Sequence, residues 1–196
     1  AIKAALDDYP REDHRHGIIH DCLPTPEGIQ ICRDYHIQMP MQSAFIGWKQ
    51  EPDEYLEHIL GHDRLEKLNP IKTFRDNNIV VSFGSDAPCT TPDPIAWMDR
   101  AVNNDNAGQA VSVQDALRMC TYNGAWAAFD EQERGSLEAG KIADMAVLSE
   151  NPYTVPKDKL SGLRVERLYL SGKCYESCRE SILPMMLRGL TSRNKA

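Results

Sequence analysis

The most informative segment of the sequence is Val80-Val81-Ser82-Phe83-Gly84-Ser85-Asp86-Ala87-Pro88. A short apolar run ends there at a glycine, and an aspartate follows two residues later. Buried strands of parallel sheets have continuous apolar runs of this kind, and α/β folds bind their ligands beyond the carboxyl ends of such strands. Asp86 is therefore a candidate functional residue. An equally good interpretation is that Asp86 fixes a turn or caps the helix that starts near Pro94, since aspartate is common in both places.

Composition and charge exclude several classes of partner. Of 196 residues, 41% are hydrophobic, and the net charge of -7 comes without any long basic run. We therefore expect neither nucleic acid nor a membrane as a partner, because both present negative charge to a protein. No apolar stretch approaches the length of a membrane span, and residues 1–6 lack the features of a signal peptide, which indicates a cytoplasmic protein.

The six cysteines are scattered over a chain that is large enough to be stable without disulfides, so we expect free thiols. Cys174 and Cys178 have a spacing found in metal sites, but no second pair stands at a suitable distance, and the signal is weak. A less favoured interpretation of the whole chain is a structural zinc domain that uses His20, Cys22 and other thiols.

Apolar runs and helix-start signals alternate along the first two thirds of the chain. Strands are predicted over 16–21, 37–43 and 79–83. Helices are predicted to start at Thr25-Pro26, Asn69-Pro70, Asp93-Pro94 and Ser112, and a loop is predicted after the second strand through Glu66. This order is typical of parallel βαβ units, but three of them are too few to close a (β/α)8 barrel, which takes about 250 residues.

The composition changes from Arg134 onward. Residues 135–144 are rich in turn formers, residues 145–148 form an apolar run, and the predicted strand over 165–170 leads into a Ser-Gly-Lys hairpin turn. These features predict a small β module. The tail after Arg179 contains a possible helix that Pro184 interrupts.

Several segments taken together resemble one enzyme family. They are Asp13-His14-Arg15-His16-Gly17-Ile18-Ile19-His20, Phe83-Gly84-Ser85-Asp86-Ala87-Pro88 with Asp93-Pro94, residues 135–144, and Asn151-Pro152. In this order and spacing they are similar to the C-terminal part of a metal-dependent amidohydrolase, in the branch of N-substituted formamide deformylases and exoenzyme regulatory proteins. The resemblance extends to about Tyr175.

The resemblance implies an α/β fold made of the C-terminal part, about strands six to eight, of a (β/α)8 TIM-type barrel, followed by part of a small β-sandwich. The implied domains are the barrel remnant over residues 1–133, the sandwich part over 134–178 and a C-terminal tail over 179–196. Members of the family hold one or two divalent metals, usually zinc, at the barrel mouth.

Two residues match metal-site positions of that family. His20 matches the histidine that ends the sixth barrel strand, a metal or substrate ligand, and Asp86 matches the aspartate that ends the eighth. Imidazole and carboxylate suit zinc, which acidifies a water and so supplies a nucleophile at neutral pH. Asp86 would take the proton of that water and transfer it to the leaving nitrogen. Arg15 and Asp21 are candidate partners of these two residues.

The chain departs from the family pattern at two points. Ile19 stands where the branch usually has an acidic residue. The family's first-strand His-x-His, fourth-strand Lys or Glu and fifth-strand histidine would all precede Ala1, which leaves His20 and Asp86 short of the three protein ligands that catalytic zinc usually needs. We therefore expect part of a hydrolase of amide or formamide bonds that is inactive alone. The alternative is a non-catalytic interaction or scaffold module derived from the same fold.

The remaining candidates are weaker. His14 and His16 form another His-x-His, but a polar strand entrance explains them more simply than metal ligation. Phe45 and Trp48 could line a pocket for a small amide-type substrate, although local packing is the favoured explanation. Because the missing strands would leave unpaired edges and an exposed apolar face, we expect self-association or pairing with the missing N-terminal half.

Overall fold

The computed structural model describes residues 1–175, which have a mixed α/β architecture. The α-helices are α1 (Ile2–Asp8), α2 (Pro26–Asp34), α3 (Asp53–Leu60), α4 (His62–Leu65), α5 (Ile71–Asp76), α6 (Pro94–Val102), α7 (Val113–Cys120) and α8 (Tyr122–Ala127). The strands are β1 (Met39–Met41), β2 (Val81–Phe83), β3 (Met145–Leu148), β4 (Val165–Leu170) and β5 (Lys173–Tyr175). Over this part of the chain, none of the helices has both the length and the apolar character that a membrane crossing requires.

The strands form two separate sheets. β1 and β2 pair in parallel, with Met39 opposite Val81 and Met41 opposite Phe83. β3, β4 and β5 form an antiparallel sheet in that order, and Ser171 and Gly172 make the turn between the last two strands. The predicted strands at 145–148 and 165–170 and the hairpin that follows are confirmed.

The predicted strand over 16–21 is wrong for most of its length. It is reduced to an isolated parallel bridge between Gly17 and Gln38, next to β1. Arg15 and His20 have φ angles of 46° and 60°, so the extended backbone ends on both sides of the bridge. Gly17 permits the close approach, because a Cβ atom there would lie 2.9 Å from Gln38 Cγ.

The predicted helix starts are confirmed where a side chain caps the helix. Thr25 Oγ1 accepts a hydrogen bond from the amide of Gly28 at 3.0 Å, and Pro26 is the first residue of α2. Asp93 caps α6 in the same way, and Ser112 Oγ accepts from the amide of Asp115 at 3.0 Å in α7. Caps of this kind depend on residues within one helical turn and can therefore be predicted from the sequence.

The predicted loop through Glu66 is wrong, since that segment contains α3 and α4. Pro52 precedes α3, and Asp53 and Glu54 lie in its first turn, where carboxylates stabilise the free amide groups of a helix. The sequence therefore contains a signal for the start of α3. The aromatic and charged residues around it led to the prediction of a loop.

The core lies between the parallel sheet and the helices that follow its strands. Met39, Met41 and Val81 are almost fully buried. They belong to one cluster with residues of α5, α6 and α7, namely Ile71, Phe74, Met98, Ala101, Ala116 and Met119, and with Leu160 and Leu163 further along the chain. This packing holds β1 and β2 in place and so fixes the residues that follow them. The domain boundary at 133/134 stays a prediction, and the predicted tail over 179–196 lies outside the described residues.

Candidate active site

The candidate site lies at the carboxyl edge of the parallel sheet. Asp86 follows β2, and His20 follows the bridge that Gly17 makes beside β1. The structure brings His20 Nε2 within 3.5 Å of Asp86 Oδ2. The side chains of His20 and Asp86 remain 38% and 43% exposed, so both are accessible to a ligand.

The backbone around Asp86 is unusual. His20 and Asp86 both have left-handed conformations, with φ of 60° and 51°, which residues other than glycine adopt rarely and which cluster at functional sites. The loop after β2 is closed by local hydrogen bonds: the amide of Cys89 donates to the carbonyl of Asp86 at 2.8 Å, and the Thr90 hydroxyl donates to the carbonyl of Ser85 at 2.5 Å. These bonds hold the Asp86 carboxylate at the edge of the sheet.

The His20 and Asp86 pair fits one shared divalent ion. Ligand atoms that each lie about 2.1 Å from a tetrahedral zinc are about 3.4 Å apart, close to the observed 3.5 Å. A neutral imidazole and a carboxylate are also donors that zinc accepts. Within residues 1–175, no group of three or more His, Cys, Asp or Glu side chains is arranged so that it could hold a metal ion. The described chain therefore offers two candidate ligands, fewer than a catalytic zinc site usually has.

Phe45 and Trp48 lie directly against this pair. The Phe45 ring stacks on the His20 imidazole, with centroids 5.7 Å apart and an angle of 18° between the planes. The Trp48 and Phe45 rings also pack together, with centroids 5.0 Å apart. The stack restricts the orientation of the imidazole, and it places both aromatic side chains at the site rather than in remote packing.

A cleft of about 610 Å³ opens beside Asp86. Residues 87–92 form one wall, Ala44 and Trp48 contribute another, and Ala96 and Arg100 of α6 complete it. Sequence reasoning did not single out Arg100. The available signal was its position four residues after Ala96, on one face of the helix that follows the Asp86 loop.

His14 has both ring nitrogens engaged. Nε2 donates to the carbonyl of Tyr35 at 2.8 Å, and Nδ1 accepts from the amide of His16 at 2.9 Å, which assigns the proton to Nε2. The two imidazole rings stack with centroids 4.8 Å apart. This arrangement favours the interpretation of His14 and His16 as a polar strand entrance.

Arg15 does not assist His20, and the expectation that it does is wrong. It lies at the opposite, amino edge of the sheet, where its guanidinium donates to both carboxylate oxygens of Glu131 at 2.7 and 2.8 Å and to Asp13. It also bonds to the carbonyl of Trp126 and lies over the rings of Trp126 and Phe129, 4.6 and 4.1 Å from their centroids. We call these residues the Arg15 cluster. The Arg15 hydrogen bonds hold the pKa of Glu131 below its ordinary value.

Three of the cysteines within the described residues have raised thiol pKa values. Burial raises the pKa of Cys22 and Cys32, and it raises that of Cys120 to about 12. Within residues 1–175, His20 and Cys22 belong to no group of three or more side chains that could hold a metal ion, which counts against a zinc domain built on them. Burial also raises the pKa of Asp21, the residue after His20. The five cysteines within the described residues are free, and Cys178 lies outside them.

Comparison with known proteins identifies the family. The sequence matches the amidohydrolase family over residues 1–175. An N-substituted formamide deformylase of Arthrobacter pascens is 34% identical over 152 residues, which are 74% of this chain and 26% of that protein. Among solved structures, an uncharacterized metal-dependent hydrolase of Pyrococcus horikoshii OT3 has a TM-score of 0.65 at 23% identity, covering 80% of this chain and 33% of that one. An adenosine deaminase of Xanthomonas campestris with bound zinc has a TM-score of 0.63 at 18% identity, covering 97% and 44%.

The chain therefore belongs to the amidohydrolase family, and the resemblance that its motifs predicted is confirmed. The solved structures show a shared fold with metal-dependent hydrolases. The chain spans about a quarter to a third of the length of the curated relatives that it matches.

Proposed function

We propose that this chain carries part of the active site of a metal-dependent hydrolase that cleaves non-peptide carbon–nitrogen bonds of the amide or formamide type. The observation that supports this most directly is the 3.5 Å approach of His20 Nε2 to Asp86 Oδ2 at the carboxyl edge of the sheet. The similarity to a formamide deformylase supports the type of bond and a small amide as substrate.

In the architecture that we propose, the Gly17 segment, β1 and β2 are strands six, seven and eight of a (β/α)8 barrel, and β3, β4 and β5 belong to a β-sandwich. The parallel pairing of β1 with β2 and the helices after each strand support this assignment. Barrel enzymes carry their active sites at the carboxyl ends of the strands, which is where His20 and Asp86 lie.

His20 Nε2 and Asp86 Oδ2 would hold a divalent ion, for which we propose zinc. Such an ion supplies Lewis acidity, which polarises a carbonyl and acidifies water. With Oδ2 beside His20, Asp86 Oδ1 remains to accept the proton that the attacking water loses and to donate it to the leaving nitrogen. Phe45 stacks on the His20 imidazole and so restricts the direction in which Nε2 can bind an ion.

The described residues supply two ligands, so we propose that the chain alone lacks hydrolase activity and needs the rest of a barrel, or self-association, to complete its site. Ile18 and Ile19, beside the Gly17 bridge, are 36% and 61% exposed. Exposed apolar side chains of this kind form a surface that another segment can cover. We also propose a cytoplasmic location, and the net charge of -7 counts against nucleic acid as a partner.

The metal content of the purified protein tests this proposal. We expect about one zinc ion per completed site by elemental analysis, loss of the ion in Asp86→Asn, and retention in Asp63→Asn, a matched change at an exposed aspartate of α4. Metal binding only when the rest of the barrel is present would support the interpretation that this chain supplies two of the metal ligands. Absence of metal both from this chain and from the protein with the whole barrel would overturn the proposal and favour the non-catalytic scaffold module.

A further inference from the structure

We propose that the cleft beside Asp86 binds a substrate that carries an anionic group at the end remote from the scissile bond, and that Arg100 pairs with this group. The inference rests on the proposed function for the reaction, although binding at Arg100 can be measured without turnover.

The lining of the cleft has an apolar body and one charge. Trp48, Ala44, Ala96 and Pro88 provide apolar surface, and Arg100 is the only charged side chain among the lining residues in the described part of the chain. The volume of about 610 Å³ lies within the range of small-molecule sites. An apolar ligand that ends in a carboxylate or phosphate matches this lining.

Arg100 is available for such a group. The other half-buried arginines of residues 1–175, which are Arg15, Arg75 and Arg134, pair with carboxylates. Arg100 is half-buried as well, yet within residues 1–175 it has no carboxylate in ion-pair range. A guanidinium presents a fork of donors that suits two parallel hydrogen bonds to a carboxylate or phosphate.

Gly47 leaves room for the guanidinium. A Cβ atom at Gly47 would lie 2.9 Å from Arg100 Nη1 and 2.8 Å from Asp105 Oδ2, and its φ of 60° also favours glycine. Asp105 and Arg100 thus face the same small space beside Gly47, but they form no ion pair in the part of the chain that the structure describes. The guanidinium therefore keeps donors that a ligand can use.

The cleft lies beside the candidate metal ligands, although neither His20 nor Asp86 is among its lining residues. Its wall begins at Ala87, the residue after Asp86, and Trp48 contacts Phe45, which stacks on His20. A ligand along Trp48 would therefore present one end to His20 and Asp86 and the other to Arg100. This places the specificity determinant on α6, outside the reacting groups.

Ligand binding by the purified protein tests the proposal. We would titrate benzoate, phenyl phosphate and uncharged benzamide, in the presence of a chelator, and follow tryptophan fluorescence with Trp48→Phe as the control for the signal. The wild type should bind at least one of the two anions about tenfold more tightly than benzamide, as charge-assisted hydrogen bonds predict. Arg100→Gln should abolish this preference, Arg100→Lys should keep part of it, and Arg64→Gln, at an exposed arginine of α4, should leave it unchanged.

Each outcome decides the proposal. Equal binding of all three compounds, or a preference that survives in Arg100→Gln, overturns it. A repeat of the titrations with zinc in place of the chelator tests the rival: anion binding that appears only with zinc and persists in Arg100→Gln would also overturn the proposal, while it would support the proposed metal site. Loss of the preference in Arg100→Gln supports the proposal whatever the metal content proves to be. If Arg100→Gln fails to fold by circular dichroism, Gly47→Ala provides the second variant, because it should weaken the preference by displacing the guanidinium.

Discussion

Arg15 and His20 lie on either side of the Gly17 bridge, yet they belong to two edges of the sheet with opposite character. At the amino edge, Arg15 is 8% exposed and donates to two carboxylates and one carbonyl. At the carboxyl edge, His20 is 38% exposed and has Asp86 as a polar neighbour at 3.5 Å. Polar groups that are satisfied within the chain contribute to stability, and polar groups left open are free to bind a ligand.

Because of this difference, we expect substitutions at the two edges to affect different properties of the protein. Changes at the carboxyl edge should alter metal content and turnover with little effect on unfolding. Changes in the Arg15 cluster should alter unfolding first. The following predictions test that separation, in order of decreasing expected effect.

Asp86→Asn should lower turnover of an amide substrate by about 10²-fold to 10⁴-fold in the form of the protein that contains the whole barrel, because the side chain no longer transfers the proton. Thermal unfolding should be almost unchanged, since the carboxylate is half-exposed. Steady-state hydrolysis and circular dichroism measure the two effects, with Asp63→Asn as the control. A variant with wild-type turnover would remove Asp86 from the mechanism.

Arg15→Met should lower the melting temperature clearly, because it leaves Glu131 without its hydrogen-bond donors while retaining an apolar stem under Trp126 and Phe129. His20→Ala should change it much less. Thermal unfolding of the two variants under identical conditions compares the edges directly. If His20→Ala were as destabilising as Arg15→Met, the contrast between the edges would be wrong.

The Arg15 cluster should also make stability depend on pH in the acid range. Hydrogen bonds from Arg15 lower the pKa of Glu131 from its ordinary value of 4.5. A lowered pKa in the folded state adds stability above pH 4.5, and this contribution is lost as the pH falls through the folded-state value. The difference in unfolding free energy between Glu131→Gln and the wild type should therefore be largest at neutral pH. It should shrink as the pH falls into the acid range. Urea unfolding between neutral and acid pH measures this, and Glu133→Gln, at an exposed glutamate, should show no such convergence.

His14→Ala should have the smallest effect. It removes two hydrogen bonds to backbone groups at a partly buried position, which costs on the order of 1 kcal/mol of unfolding free energy. Metal content should stay as in the wild type, since both ring nitrogens are engaged by backbone groups. Loss of metal from this variant would show that His14 belongs to the carboxyl-edge site after all.

Local chemistry explains what could be read from the sequence. Thr25, Asp93 and Ser112 cap helices with side chains that reach an amide two or three residues away, so short segments of sequence determine these helix starts. The apolar run that ends at Gly84 likewise indicates a buried strand with Asp86 beyond it. The family motifs add His20, although no local pattern relates it to Asp86.

Other features depended on neighbours in space. The Gly17 segment looks like a strand, but left-handed residues on both sides confine it to a single bridge. Residues 53–65 are a different case, because α3 and α4 bury none of their residues and the start signal of α3, Pro52 followed by Asp53 and Glu54, lies in the sequence. For the Gly17 segment, intrinsic propensity is a weak guide, since tertiary contacts override it.

By itself, the sequence determined the βαβ order, the helix caps, the small β module and the candidate pair of His20 and Asp86. Only the tertiary structure decided that these two side chains approach within 3.5 Å, that Arg15 pairs with Glu131 at the other edge, and that Arg100 lines the cleft. The physical reason is the range of the interactions: a cap joins groups within one helical turn, whereas these contacts join residues far apart in the chain that only the packed core brings together.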